Sequence, residues 1–179
     1  MRIRTILLIS LAGITATAII AASAFVETAK ASPPPLVPVT ERADFVEVDK
    51  SDRELRLLRG GEVIRRYQVS LGFAPDGDKE REGDGKTPEG LYTIDYRNPK
   101  SSFHLSLHIS YPNATDRQEA EAVGDDPGGA IFIHGGPRGV PDALWRGHDW
   151  TLGCVSVTDD EMTEIWSLVP DGTPIEIKP

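Results

Sequence analysis

The only cysteine of this 179-residue chain, Cys154, stands in Thr151-Leu152-Gly153-Cys154. Upstream, His134 opens His134-Gly135-Gly136, directly after the apolar run Ala130-Ile131-Phe132-Ile133. A thiol is a weak nucleophile until a neighbouring base or positive field moves it toward thiolate. A histidine at the end of a buried strand suits that task, because the strand fixes its position and its pKa lies near neutrality. Glycines on both sides let backbone approach a ligand closely. Together these residue types fit a Cys/His acyl-transfer site, with Cys154 as nucleophile and His134 as base. A plainer reading uses the same residues: a lone cysteine as a small buried hydrophobe, and a histidine that only hydrogen-bonds in a turn. Residue types alone leave both open.

The rest of the chain bears on that choice. Residues 1–31 read as a secretion signal or a signal anchor: Arg2 and Arg4 precede an apolar run from Ile6 to Val26, and Ala29-Lys30-Ala31 follows before Ser32. Exported domains normally pair their cysteines, and Cys154 has no partner in the chain. An unpaired thiol in an oxidising compartment is either buried or used. The formal net charge is −9, and removal of residues 1–31, with Arg2, Arg4, Lys30 and Glu27, makes it more negative by two. Such an acidic domain is a poor partner for nucleic acid or anionic lipid, so membrane contact is expected only through the N-terminal segment. His104 and His108 lie four apart on an extended segment, too far separated to chelate alone. No metal and no cofactor is expected.

The elements that must hold Cys154 and His134 follow from patterning. Residues 32–42 form a proline-rich linker, extended in polyproline II form. The folded domain spans residues 43–179. Phe45 to Val48, Glu54 to Leu58 and Val63 to Ser70 read as strands, the last two joined by a hairpin at Gly60-Gly61. Ala74 to Gly90 is a long polar loop of the kind that often carries function. Its Gly-Lys-Thr run lacks the spacing of a phosphate loop. Leu91 to Asp95 is a strand. Phe103 to Tyr111 alternates strictly, with His104, Ser106 and His108 on the polar face, which is either solvent surface or the floor of a cleft. Asn113 caps a short helix ending before Gly124. Thr158 to Glu161 is a capping box, and Met162, Ile165, Trp166 and Val169 after it share a core face. Thr173 to Ile177 is a last strand. Strands outnumber helices without a βαβ rhythm, which predicts a mainly β, sandwich-like domain with short peripheral helices.

With these residues in view, the chain resembles the L,D-transpeptidase catalytic domain family of YkuD type. The resemblance rests on His134-Gly135, on Thr151-Leu152-Gly153-Cys154-Val155, and on Thr87-Pro88-Glu89-Gly90-Leu91-Tyr92, and it covers roughly residues 43–177. It implies a cell-wall substrate. Cys154 would attack a peptidoglycan stem peptide at the carbonyl between an L-centre and a D-centre, releasing D-alanine and leaving an acyl-enzyme thioester. An amine of a second stem, water, or an envelope lipoprotein would then enter. It also places Gly153 and Thr151 on the oxyanion side, with the amides of Gly153 and Cys154 as candidate donors. Two positions depart from the family pattern: Leu152 stands where many members have histidine, and Ser156 where many have arginine. Arg146 is a candidate replacement as a carboxylate contact, with Trp145 and Trp150 as lid or wall. Gly135, His108 and Tyr111 complete the candidate substrate contacts. A non-catalytic wall-binding domain with an inert Cys154 is the alternative from another class.

Overall fold

The computed structural model describes residues 32–179. The expected signal or anchor, residues 1–31, lies outside them. The described residues fold as one unit around a single apolar core.

Eight strands form one curled sheet: β1 (Phe45–Asp49), β2 (Glu54–Arg59), β3 (Glu62–Gln68), β4 (Gly90–Asn98), β5 (Ser106–Ile109), β6 (Phe132–His134), β7 (Val155–Ser156) and β8 (Pro174–Lys178). Their order is β3-β2-β1-β8-β4-β5-β6-β7. The first three strands are consecutive hairpins. Gly60 and Gly61 both take left-handed φ, 59° and 82°, which a two-residue turn needs to match strand twist. β4 serves both halves of the sheet: Gly90 to Thr93 pair with β8, and Ile94 to Asn98 pair with β5, with an irregularity between Ile94 and Tyr96. Past the end of β3, Ser70 pairs with Ser156 of β7, so the curl closes on itself. Val46, Leu57, Ile94, Leu107, Ile133, Val155 and Ile175 therefore face one shared core from both halves.

Two helices flank the sheet, α1 (Ala114–Val123) and α2 (Asp159–Leu168). Both start at reciprocal capping boxes, Asn113 with Asp116 and Thr158 with Glu161, and α1 ends at the left-handed Gly124. Met162 and Ile165 of α2 are fully buried in the core. Residues before β1 lie along α2: the Val37 amide donates to the Ser167 carbonyl (3.0 Å), and Trp166 Nε1 donates to the Pro34 carbonyl (3.1 Å).

The predicted strand over 103–111 is shorter than its alternation, covering only Ser106–Ile109. His104 takes a left-handed φ of 64° and binds Thr163 of α2 through Nε2 (2.8 Å). That turn breaks the strand and frees Phe103 from the ladder.

Candidate active site

His134 ends β6, paired with Ser106 of β5 on one side and Ser156 of β7 on the other. Its ring is 4% exposed. Nδ1 lies 2.7 Å from the Gly135 carbonyl oxygen, which can only accept, so Nδ1 carries the proton and Nε2 is left as the acceptor. Phe103 stacks on the ring at 4.6 Å, and Trp150 meets it edge-on at 5.7 Å. The Gly135 carbonyl also accepts from the Ser156 hydroxyl (3.1 Å), while the Gly135 amide donates to the Phe103 carbonyl (3.0 Å). A Cβ on Gly135 would lie 2.3 Å from Asp159 Oδ1. Only glycine fits there.

Cys154 immediately precedes β7, which runs parallel to β6. The loop before it is stitched by Thr151, whose hydroxyl donates to the Cys154 carbonyl (2.7 Å) and accepts from the Gly153 amide (3.1 Å). Gly153 has a φ of 130°, and a Cβ there would meet the Lys86 carbonyl at 2.6 Å. The long loop 74–90 thus rests on the cysteine motif. Its own shape is held by side chains: buried Lys50 donates to the carbonyls of Gly77 and Thr87 and to Glu89, and Thr87 Oγ1 accepts from Gly72 (3.0 Å). The half-buried sulfur lies 3.6 Å from the Ala130 carbonyl oxygen. Ala130 itself has a φ of 55°, a strained conformation of the kind that gathers at functional sites.

Both candidate groups open onto the same cavity of about 550 Å³, lined among others by Phe103, Ala130, Ile131, His134, Trp150 and Cys154. Burial pushes the His134 imidazole down from its ordinary value, against an opposing pull from the Gly135 carbonyl. Burial pushes the Cys154 thiol up, opposed by the Phe132 amide and the charge of Lys79. Both shifts act in the same sense, favouring a neutral thiol and a neutral imidazole over a standing ion pair.

The other sequence-derived candidates divide. Trp150 and Thr151 line the cavity with Cys154 and His134. Gly135 does not line it, and acts through its carbonyl and its lack of a side chain. Arg146 is off the cavity: its guanidinium pairs with Glu161 (2.6 Å) in the capping box of α2. His108 is also elsewhere, with Nδ1 2.6 Å from Asp95 and its ring stacked on Tyr96 at 4.4 Å. Tyr111 is a core residue whose hydroxyl donates to the Pro127 carbonyl (2.9 Å), supporting the chain that leads into the cavity wall. The Gly153 and Thr151 amides are engaged, with Thr151 Oγ1 and the Leu71 carbonyl respectively, so neither is an idle oxyanion donor. Ser156 is fully buried and points its hydroxyl at the Gly135 carbonyl, away from any substrate role. Sequence reasoning missed Phe103, which its alternation placed in a strand, and Lys79, Glu82 and Gly83, whose only signal was the length of their loop.

Residues 43–177 match the YkuD family, described as the L,D-transpeptidase catalytic domain. An Escherichia coli (strain K12) protein named "Putative L,D-transpeptidase YafK" is 28% identical over 131 residues, covering 70% of this chain and 46% of that protein. Among solved structures, the helical cell shape determining protein Pgp2 of Campylobacter jejuni superposes with a TM-score of 0.58 at 25% identity, over 76% of this chain and 48% of that one. Bd1075 of Bdellovibrio bacteriovorus gives 0.53 at 29% identity, over 82% of this chain and 51% of that one. The chain thus spans about half the length of these relatives. A mainly β curled sheet and a match over residues 43–177 make this chain a member of the YkuD, L,D-transpeptidase catalytic domain family.

Proposed function

We propose that the chain is a cysteine-dependent L,D-transpeptidase that acts on peptidoglycan stem peptides through an acyl-enzyme thioester. The observation that carries this reading is the shared cavity: Cys154 and His134 both line it, with the imidazole proton pinned on the Gly135 side. His134 Nε2 takes the thiol proton as the sulfur attacks the carbonyl that follows an L-centre. The tetrahedral oxyanion is met by the Cys154 amide, since the Gly153 amide is held by Thr151. The C–N electron pair leaves on nitrogen, His134 returns the proton, and a D-amino acid departs. Amine attack on the thioester completes transfer; water attack would make the same site a carboxy- or endopeptidase, and a lipoprotein linkage as substrate would make it a releasing amidase. The likeness to a cell shape determining protein extends the proposal to wall remodelling in the cell envelope. The relevant partner is the stem peptide, with the membrane engaged only through residues 1–31.

A non-catalytic wall-binding domain would leave the thiol inert. Against that reading stands a half-buried sulfur on a cavity large enough for a peptide end. The test is incubation of the purified chain with tetrapeptide muropeptides and mass spectrometry of the products. Cross-linked species support transfer, shortened stems support hydrolysis, and a profile identical to that of Cys154→Ala overturns the enzyme reading.

A further inference from the structure

The loop 74–90 contributes a buried cation to the cavity that the mechanism above does not use. Lys79 is the only lysine or arginine among the lining residues. Its side chain is 3% exposed. Nζ donates to the Arg81 carbonyl (2.9 Å) and to Asp84 Oδ1 (2.8 Å). An ammonium has three N–H groups, and the third finds no partner among the described residues. Asp84 is its counter-ion, and the same carboxylate also accepts from the amides of Glu80 (2.8 Å), Arg81 (3.0 Å) and Lys86 (3.0 Å), so Asp84 is held by the loop and meets Lys79 through one oxygen only. The charge of Lys79 is felt at the Cys154 sulfur. Glu82, an exposed carboxylate, is also on the lining, so any anion preference belongs to the Lys79 position and not to the cavity as a whole. A buried cation with a donor to spare, on the same cavity as Cys154, is what a substrate carboxylate requires.

We propose that Lys79 anchors the free C-terminal carboxylate of the residue that leaves when Cys154 attacks the preceding carbonyl. This rests on the acyl-transfer reading and narrows it. It also supplies the carboxylate contact that Arg146, bound to Glu161, cannot give.

The test uses two alkylating reagents of like size on the full chain, iodoacetate and iodoacetamide. Their rate ratio cancels the reactivity of the thiol and reports only on the carboxylate. Relative to N-acetylcysteine, Cys154 is expected to favour iodoacetate about tenfold, the scale of one charge-assisted hydrogen bond. Lys79→Met should abolish the preference and Lys79→Arg should retain most of it. Labelling by both reagents with the ratio of N-acetylcysteine overturns the Lys79 assignment while leaving the nucleophile in place. An unchanged ratio in a folded Lys79→Met chain overturns it as well. If Lys79→Met does not fold, the wild-type ratio decides alone. Labelling by neither reagent overturns the nucleophile itself, and this inference with it.

Discussion

Removing one hydroxyl, in Thr151→Val, is expected to damage both stability and the reactivity of Cys154. Valine matches threonine in shape, so the substitution leaves packing intact at a residue that is 4% exposed. It orphans two backbone groups at once: the Gly153 amide, now 3.1 Å from Thr151 Oγ1, and the Cys154 carbonyl, now 2.7 Å from it. An unsatisfied buried polar group costs about 1–3 kcal/mol, so the pair should cost about 2–4 kcal/mol after partial relaxation. In a domain of this size that is a fall in Tm of about 4–16 °C. Thr151→Ser keeps both hydrogen bonds and loses one methyl, about 1 kcal/mol. Guanidinium unfolding followed by tryptophan fluorescence measures the first effect. Iodoacetamide labelling of the native chain measures the second, since an unanchored Cys154 no longer holds its place on the cavity wall. A valine variant within about 0.5 kcal/mol of wild type, below the ordinary cost of one lost hydrogen bond, would refute the reasoning. So would a serine variant as impaired as the valine one.

Three further outcomes follow from the same structure. Because burial raises the thiol from its ordinary 9.0 and lowers the imidazole from its ordinary 6.5, iodoacetamide labelling should keep rising into alkaline pH; a plateau between pH 5 and 7 would instead indicate a standing ion pair. Gly135→Ala places a Cβ 2.3 Å from Asp159 Oδ1 and 2.9 Å from the Phe103 carbonyl, and should cost about 1–3 kcal/mol in thermal unfolding while slowing Cys154 labelling. For Asp84, burial pushes the carboxyl up, but Lys79 and three backbone amides outweigh it and hold it at about 2, against an ordinary 3.8. A depressed carboxylate stabilises the fold above its ordinary value and loses that stabilisation as pH falls through its folded one. Asp84→Asn should therefore cost about 2 kcal/mol at pH 7, with the gap to wild type closing between pH 4 and pH 2 in urea unfolding.

Local chemistry was the readable part of this sequence. Asn113 and Gly124 bracket α1, and Thr158 with Glu161 starts α2, because caps satisfy orphan backbone groups within a few residues. Hairpin glycines and alternating strands were legible for the same reason. The order of strands was not: the parallel pairs β1–β8 and β6–β7 join segments far apart in the chain, and no periodicity encodes them. Phe103 looked like one more tooth of an alternating strand until the left-handed His104 turned it onto His134. Arg146, His108 and Tyr111 carried suitable side chains but are engaged by Glu161, Asp95 and Pro127. Lys79 was hidden in a polar loop whose fold depends on side-chain ion pairs, Lys50 with Glu89 and Lys79 with Asp84, that composition does not announce. The cysteine and histidine motifs stood out because glycine is demanded directly after His134 and directly before Cys154.

The join between Ser70 and Ser156 has a practical consequence. β7 is two residues long, and Cys154 is attached directly to it. Local opening of so short a join breaks a handful of bonds, far fewer than melting the whole domain. The surroundings of Cys154 can thus loosen while the circular dichroism spectrum stays unchanged. The rate at which the Cys154 thiol takes up an alkylating reagent, rather than ellipticity, is what registers such opening.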